Sequence, residues 1–409
     1  MAEAYGRLAD TVRIEGARIL ATLVRTVGSL PVAEDAVQEA VVAALRDWPR
    51  TGVPDQPRAW LTVTARRKAI DILRRENARA DKERDGSALM ELSAPDLPSE
   101  SVVRDDQLRL IFTCCHPSLS PDARVALALR TLCGLSTRQI AALLLTAEPA
   151  MAKRLTRTRQ KIAAARIPYR VPIATELPAR LPAVCGVVHA LYTAGHAPLA
   201  GDAPIDIDVC TEAVRLARLL HDLLPEEAMP TGLLALLLLT EARRPARVDE
   251  AGDVVLLSDQ DRSRWDASRI VAGQSLLDAS LRRTRGVADP YQLQAAIAAE
   301  HARAPAYEAT DWAEIVRLYD LLLTVAPSPA AALNRAVAVA EAEGAIAGLE
   351  TLDGIPPDPR WYAVRGELLA REGRYAEAVE ATEASLAGEL TAPERRYRQR
   401  RLAAWSART

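Results

Sequence analysis

Aromatic residues make up only 4% of this 409-residue sequence, although 49% of it is hydrophobic. The apolar residues are mainly Ala, Leu and Val, there is one Phe (Phe112), and β-branched runs are few. Such a composition favours helices over sheets. We therefore predict an all-α fold, and the length allows two or three domains, each with its own core.

Long apolar runs are also missing. The richest one, Leu233 to Leu239, is far too short to span a bilayer. The first 17 residues carry charges throughout and contain no apolar core segment of the kind found in signal peptides. We expect a soluble, cytoplasmic protein that makes no membrane contact.

The sequence contains no CxxC pair, and its cysteine count is odd. The five cysteines are Cys114, Cys115, Cys133, Cys185 and Cys210. This pattern argues against a disulfide framework. Cys114, Cys115 and His116 form a suggestive cluster, but adjacent cysteines on a helix point to different sides and no second ligand pair follows at zinc-site spacing. We expect buried, reduced thiols, no metal and no cofactor.

Sequence motifs typical of catalysis are absent as well: there is no Gly-rich phosphate loop, no HExxH and no nucleophile motif. Polar clusters do occur in the C-terminal part. They comprise Asp259, Gln260, Asp261, Arg262, Arg264, Trp265, Asp266, Gln294, Glu300, His301, Asp311 and Trp312. We predict a structural network of salt bridges and hydrogen bonds there, and no catalytic residue.

The net charge of −2 conceals an asymmetry along the chain. Residues 1–170 hold 27 Lys and Arg against 20 Asp and Glu, whereas the remainder holds 25 against 34. The basic excess is concentrated between Lys153 and Arg170 and between Arg66 and Arg75. A basic N-terminal part of this kind is suited to binding a polyanion.

The helical pattern divides the chain into segments. It runs from about Thr11 to Arg79 with breaks at Pro31 and at Pro49 to Pro57, then lapses over the polar residues 81–105. We predict a domain over residues 1–80, a linker over 81–105, a second domain over 106–170 and a helical extension over 178–409.

The strongest local pattern covers residues 132–162 and is typical of a helix-turn-helix. Gly134 is suited to end one helix, and Ser136 with Gln139 forms a capping box that opens the next, over Thr137 to about Leu144. Thr146 is expected to cap the second helix.

That second helix has two contrasting faces. Its predicted apolar stripe consists of Met151, Leu155, Thr158 and Ile162. The predicted DNA-binding face consists of Ala150, Lys153, Arg154, Arg157, Gln160 and Lys161. Such a face can enter the major groove, although an ordinary solvated helix face has the same composition.

Two further helices precede this motif. In SLPVAEDAVQEAVVAALRDW, residues 29–48, we predict a core face and an opposite acidic surface. The core face consists of Val37, Val41, Leu45 and Trp48, and the acidic surface of Glu34, Asp35, Gln38 and Glu39.

The next helix, residues 58–77, has an apolar stripe of Leu61, Ala65, Ala69 and Leu73. Basic residues cover the rest, and an aromatic residue stands at the helix entry. They are Arg66, Arg67, Lys68, Arg74 and Arg75, with Trp60. Basic side chains beside an aromatic ring are suited to single-stranded or unpaired DNA.

The segments AEDAVQEA and AWLTVTARRKAIDILRR, followed by LSTRQIAALL and MAKRLTRTRQKI, resemble domains two and four of the extracytoplasmic-function sigma factors. The resemblance implies that Asp35, Gln38 and Glu39 bind core RNA polymerase. It also implies that the helix over residues 58–77 binds the melted minus-ten strand, and that the helix-turn-helix binds double-stranded promoter DNA at the minus-thirty-five element. Arg67 stands where most members have Asn, and Pro149 also departs from the commoner residues.

From Pro178 onward the chain resembles the tetratricopeptide-like extension of one subgroup of these sigma factors. Gly366, Gly373, Tyr375 and Ala378 match the small residues and turn of one helix pair. We expect stacked helix pairs that modulate activity through an intramolecular contact or a protein partner.

Two other functions fit parts of the sequence. One is a helix-turn-helix transcriptional regulator with a helical sensing or protein-interaction domain. The other is a helical scaffold or enzyme whose basic part binds RNA. A regulator would not need the N-terminal pair of motifs.

Overall fold

The computed structural model describes residues 2–80, 106, 109–132, 134–144, 146–165, 167, 169, 175–198 and 201–409. Over these ranges the regular structure is helical, with only two isolated β-bridges, Gly201 with Thr391 and Val248 with Val254. The predicted all-α fold is confirmed. The predicted linker, residues 81–105, lies outside the described residues, as does Cys133.

The chain forms two compact units, Met1–Val187 and Val188–Thr409. The helices that begin in unit 1 are α1 (Ala2–Val27), α2 (Leu30–Thr51), α3 (Pro57–Ala80), α4 (residues 109–114), α5 (Pro121–Thr131), α6 (Thr137–Leu143), α7 (Glu148–Ala164) and α8 (Leu177–His196). Helix α8 contains the boundary between the units.

Helices α1, α2 and α3 pack together through small side chains. The buried face of α2 consists mainly of Ala33, Ala36, Ala40, Ala44 and Trp48. Alanine side chains allow neighbouring helix backbones to approach closely, so the packed face is narrow and dense.

The predicted core face of α2 is wrong except at Trp48. Leu45 is exposed, and Val37 and Val41 are only half-buried. The buried stripe is rotated toward the alanines because the neighbouring helices α1 and α3, rather than side-chain hydrophobicity alone, decide which face is covered.

Unit 2 continues the helical succession. Its remaining helices are α9 (Ile207–Leu223), α10 (Ala228–Ala242), α11 (Ala267–Arg283), α12 (Pro290–Arg303), α13 (Trp312–Val325), α14 (Pro329–Glu343), α15 (Ala345–Leu352), α16 (Pro359–Arg371), α17 (Tyr375–Ser385) and α18 (Ala392–Ser406). From α9 to α18 each helix packs on the next along the chain, as in helical-repeat proteins.

The helix pair predicted around Gly366 is confirmed by α16 and α17. Gly373 has φ +73° in the turn, a conformation that favours glycine. A Cβ at Gly366 would lie 2.7 Å from Oγ1 of Thr382, so only glycine allows the two helices to approach this closely. Within the described ranges, no helix is both long and apolar enough to span a bilayer.

Candidate nucleic-acid interface

The turn between α5 and α6 has the predicted geometry. Gly134 has φ +65°, which suits a helix stop. The backbone N–H of Ser136 donates to Oε1 of Gln139 at 2.9 Å, and the N–H of Gln139 donates to Oγ of Ser136 at 3.2 Å. The predicted capping box is confirmed.

The predicted cap at Thr146 is wrong. Its hydroxyl donates to the carbonyl of Leu144 at 3.0 Å, and α7 begins at Glu148. The hydroxyl therefore stabilises the turn between α6 and α7 instead of the start of α7.

The inner face of α7 is the predicted apolar stripe. Met151, Leu155, Thr158 and Ile162 are all buried. Thr158 is accommodated because its hydroxyl donates to the Arg154 carbonyl at 2.8 Å within the helix. Helix α7 packs on α5 and α6, which fixes the direction of its opposite face.

The predicted DNA-binding residues occupy that opposite face. Ala150, Lys153, Arg157, Gln160 and Lys161 are exposed, and Arg154 is half-buried. Nη1 of Arg154 lies 3.8 Å from Oδ2 of Asp122, an exposed ion pair that solvent screens.

Five of these six residues line one open groove of about 460 Å³: Ala150, Lys153, Arg154, Arg157 and Lys161. The opposite wall contains Leu119, Ser120 and Ala123, at the start of α5. The partial positive charge at the N-terminus of α5 is offset in part by the exposed Asp122 in its first turn, so the positive charge of the groove comes mainly from α7. Gln160 is exposed outside the groove lining.

Helix α3 presents the second group of basic residues. Leu61, Ala65 and Ala69 are buried and Leu73 is half-buried, which confirms the orientation of the helix. Of the predicted DNA-binding residues, Arg67, Arg74 and Arg75 are exposed, and Arg66 and Lys68 are half-buried.

Trp60 lies at the start of α3 and packs against Trp48. The two rings meet edge to face, with centroids 5.6 Å apart and an interplanar angle of 71°. Trp60 is half-buried, so the ring predicted to stack on DNA bases also contributes to the packing of α2 on α3.

Glu39 connects two of the predicted sites. Its Oε2 lies 3.6 Å from Nζ of Lys68, and its Oε1 lies 4.0 Å from Nη2 of Arg75. A residue predicted to bind polymerase is therefore paired with two residues predicted to bind DNA. Asp35 and Gln38, the other two predicted polymerase-binding residues, are exposed on α2.

Glu34 does not belong to the acidic surface on which it was predicted. Its side chain is 6% exposed, and Nε of Arg159 on α7 lies 2.6 Å from its Oε2. Burial raises the pKa of Glu34, while the nearby charges of Arg159 and Arg130 lower it. This ion pair joins α2 to α7, although its two residues are 125 positions apart in the sequence.

Two further contacts join α1 to residues that follow the predicted linker. Nε of Arg25 lies 2.8 Å from Oδ2 of the fully buried Asp106. The Tyr169 hydroxyl lies 2.7 Å from the Ala21 carbonyl oxygen and 2.8 Å from that of Asp106. The Glu34–Arg159 pair thus joins the helix-turn-helix to α2, and these two contacts join residues on either side of the helix-turn-helix to α1.

An apolar groove of about 360 Å³ lies beside α2. Val37, Val41 and Val42 line it, together with Gln38 and with Val12 and Leu20 of α1. The valines that were predicted to be core thus border an open groove next to the predicted polymerase-binding residues.

The four described cysteines, Cys114, Cys115, Cys185 and Cys210, are free and buried, as predicted. Sγ of Cys114 lies 3.1 Å from Oγ1 of Thr131, and burial raises the pKa of the Cys115 thiol to about 12. The raised pKa keeps the Cys115 thiol protonated, and all four thiols are packed in the core.

The polar cluster of unit 2 forms the predicted structural network. The side chains of Asp261, Asp266 and Asp311 each accept a backbone N–H at the start of a helical segment. Arg262 donates to the carbonyls of His301 and Ala304, both at 2.6 Å, at the end of α12. These contacts fix the loops between helices.

Three family models match separate parts of the chain. Residues 12–79 match sigma-70 region 2, and residues 109–162 match sigma-70, region 4. Residues 180–281 match a family of unknown function (DUF6596). The first two matches contain α2, α3 and the helix-turn-helix, the elements described above.

Two relatives match different shares of the chain. An uncharacterized protein, R00370 of Rhizobium meliloti (strain 1021), is 42% identical over 386 residues, which cover 92% of this chain and 91% of the relative. The probable ECF RNA polymerase sigma factor SigI of Mycobacterium tuberculosis is 33% identical over 147 residues, or 35% of this chain and 50% of the relative.

Proposed function

This chain belongs to the extracytoplasmic-function sigma factors with a C-terminal extension, and we propose that it binds core RNA polymerase and directs it to specific promoters. The sigma factor families are not enzymes, and we assign this chain no catalytic residue. The observation that carries the proposal is the groove beside α7, where five predicted DNA-binding residues converge.

We assign the minus-thirty-five element to the outer face of α7. Lys153, Arg157 and Gln160 are exposed there and carry the donors that read base edges and neutralise phosphates. The start of α5 lies across the groove, where its backbone N–H groups are suited to a phosphate of the same duplex.

We assign the melted minus-ten strand to α3. Arg67, Arg74 and Arg75 are exposed and supply charge for the phosphates, while Trp60 stands at the helix entry beside Trp48. A base that stacks on Trp60 would meet a ring already held by edge-to-face packing, which reduces the entropy lost on binding.

We assign the polymerase contact to α2. Asp35 and Gln38 are exposed, Glu39 is half-buried, and the valine-lined groove next to them offers apolar surface to a partner. An apolar patch with a polar rim is the usual anatomy of a protein interface.

We propose that the C-terminal extension modulates this activity through an intramolecular contact or a protein partner. Residues 171–409 hold 25 basic against 34 acidic residues, opposite in sign to the DNA-binding part. A protease site inserted after Pro172 of the full chain would allow the extension to be severed after folding. A change in transcript yield on cleavage is expected, and an unchanged yield would contradict this role.

Promoter-dependent run-off transcription with sigma-free core RNA polymerase tests the proposal. The chain should confer initiation alone, and a variant with both Lys153→Ala and Arg157→Ala should lose most of it. Arg50→Ala, at an exposed basic position outside the assigned sites, is the matched control. Promoter binding without any transcript would instead support a conventional transcriptional regulator.

A further inference from the structure

Among the half-buried arginines of unit 2 are three that form no ion pair with a carboxylate. Within residues 201–409, all of which the structure describes, neither Arg243, Arg247 nor Arg262 forms an ion pair with a carboxylate. Their neighbours do: Arg244 and Arg269 lie 2.9 Å and 3.1 Å from Oε2 of the buried Glu241. Burying part of a cation without a counterion costs free energy, so the three unpaired arginines are less stable than Arg244 and Arg269 unless an anion binds them.

Two contacts bring Arg262 and the segment that begins at Arg243 close to Trp265. The Arg262 guanidinium lies over the Trp265 ring, 4.7 Å from its centroid, and donates to the His301 carbonyl at 2.6 Å. The next residue, Asp266, donates its N–H to the Ala242 carbonyl at 2.9 Å, which places Trp265 beside the segment that begins at Arg243.

Three nitrogen atoms in this part of unit 2 are buried without a hydrogen-bond partner. They are Nε of Arg243, Nε1 of Trp265 and Nδ1 of His301. The first two can only donate hydrogen bonds, and neutral histidine can donate one as well. Buried donors are nearly always satisfied in proteins, so three in one cluster indicate a missing acceptor.

The electrostatic potential at these residues is positive, which is the sign that an anion requires. Burial lowers the pKa of His301 to about 3, and the charges of Arg243 and Arg262 contribute to the shift. Burial also lowers the pKa of Arg243 to about 10, assisted by Arg247 and Arg262. Each of these groups thus lies in a positive potential that an anion would neutralise.

We propose that Arg243, Arg262, Trp265 and His301 form a binding site for a small oxyanion, a carboxylate or phosphate group. The guanidinium of Arg243 has the planar fork that pairs with two oxygens of such a group, and the indole and imidazole N–H groups would complete its hydrogen bonding. The proposal does not depend on the sigma factor function, because it concerns residues of unit 2 alone.

Titration of the full chain with inorganic phosphate, and separately with citrate, tests the site. The readout is the indole N–H resonance of Trp265 in tryptophan-labelled protein, assigned with Trp265→Phe. We expect a saturable shift with at least one of the two anions, and whichever shifts it identifies phosphate or carboxylate as the ligand chemistry. The Trp361 indole, whose N–H donates to the Leu352 carbonyl at 3.0 Å, is the control and should not move.

Arg243→Gln should weaken binding by about tenfold or more, since it removes a charge-assisted, bidentate contact. Arg264→Gln, at an exposed position in the same loop, should bind as the wild type does. If Arg243→Gln does not fold, Arg243→Lys replaces it in the test. We then expect a smaller loss of affinity for the anion, because lysine keeps the positive charge. Absence of a saturable Trp265 shift with both anions, or equal binding by the Arg243 and Arg264 variants, would overturn the proposal.

Discussion

Glu34 of α2 and Arg159 of α7 form an ion pair with 2.6 Å between Oε2 and Nε, and the carboxylate is 6% exposed. The pair joins a helix matched to sigma-70 region 2 with one matched to region 4. Neither helix could have been assigned this contact from its own pattern, because the two residues are distant in the sequence.

Replacing Arg159 should destabilise unit 1. Arg159→Gln leaves a buried carboxylate without its cation, and we expect a loss of about 1–3 kcal/mol in the free energy of unfolding. A double-mutant cycle with Glu34→Gln, measured by urea unfolding, isolates the pair. Arg157→Gln, two positions away and exposed, should change stability by less than about 0.5 kcal/mol. A cycle with no coupling energy would show that the pair contributes nothing.

Glu39→Gln should strengthen the binding of the free protein to non-specific DNA. It releases Lys68 and Arg75 from their ion pairs, and because these pairs are largely exposed, the gain should be within about fivefold. Fluorescence anisotropy at low and moderate salt measures it. Asp47→Asn makes the same charge change at an exposed position of α2, so equal gains from both variants would point to net charge alone.

The groove beside α7 should determine the salt dependence of promoter binding. If Arg157 and Lys153 each neutralise a phosphate, each alanine substitution should reduce the slope of log K against log salt by about 0.9. Affinity measured from low to moderate salt on a promoter duplex gives the slope. Loss of affinity with an unchanged slope would mean that the residue contacts no phosphate.

The close approach of α16 and α17 predicts a cost for adding one methyl group. Gly366→Ala would place Cβ 2.7 Å from Oγ1 of Thr382, whose hydroxyl donates to the Ala378 carbonyl, and we expect a destabilisation of about 1–3 kcal/mol. Gly354→Ala is the control, since no atom lies within 4 Å of its added Cβ. Equal urea midpoints for the two variants would contradict the packing argument.

Unit 2 should lose stability in mild acid. Burial lowers the pKa of His196 to about 2 and that of His301 to about 3, against 6.5 for a free histidine. Between these values the unfolded chain binds protons that the folded chain does not, so stability falls as the pH drops below 6.5.

His196→Asn should flatten this fall, since the amide keeps an acceptor for Arg247, which lies 2.8 Å from Nδ1. The melting temperature between pH 7 and pH 4.5 measures it. An equally steep fall in the variant would exclude His196 as a cause.

The sequence predicted best where one helix or turn determines the result. The capping box of Ser136 and Gln139 and the buried stripe from Met151 to Ile162 depend on residues within a few turns of each other, and both are present. The outward direction of Lys153 and Arg157 follows from that stripe.

The prediction failed where a neighbouring helix chooses the buried face. On α2 the valines are more hydrophobic than the alanines, yet close helix packing favours the smaller side chains and leaves Val37 and Val41 at a groove. The prediction that Glu34 lies on the surface failed for the same reason. Its carboxylate can be buried because Arg159 on α7 pairs with it.

The ion pairs of Glu39 also bear on the order in which a transcription complex assembles. A chromosome offers on the order of a million or more non-specific sites, which compete for any free basic protein. While Glu39 forms ion pairs with Lys68 and Arg75, binding to these non-specific sites is weakened. If polymerase binds Glu39 instead, both cations become available to promoter DNA. Under the proposed roles, one carboxylate would then weaken non-specific binding by up to about fivefold until polymerase binds the factor.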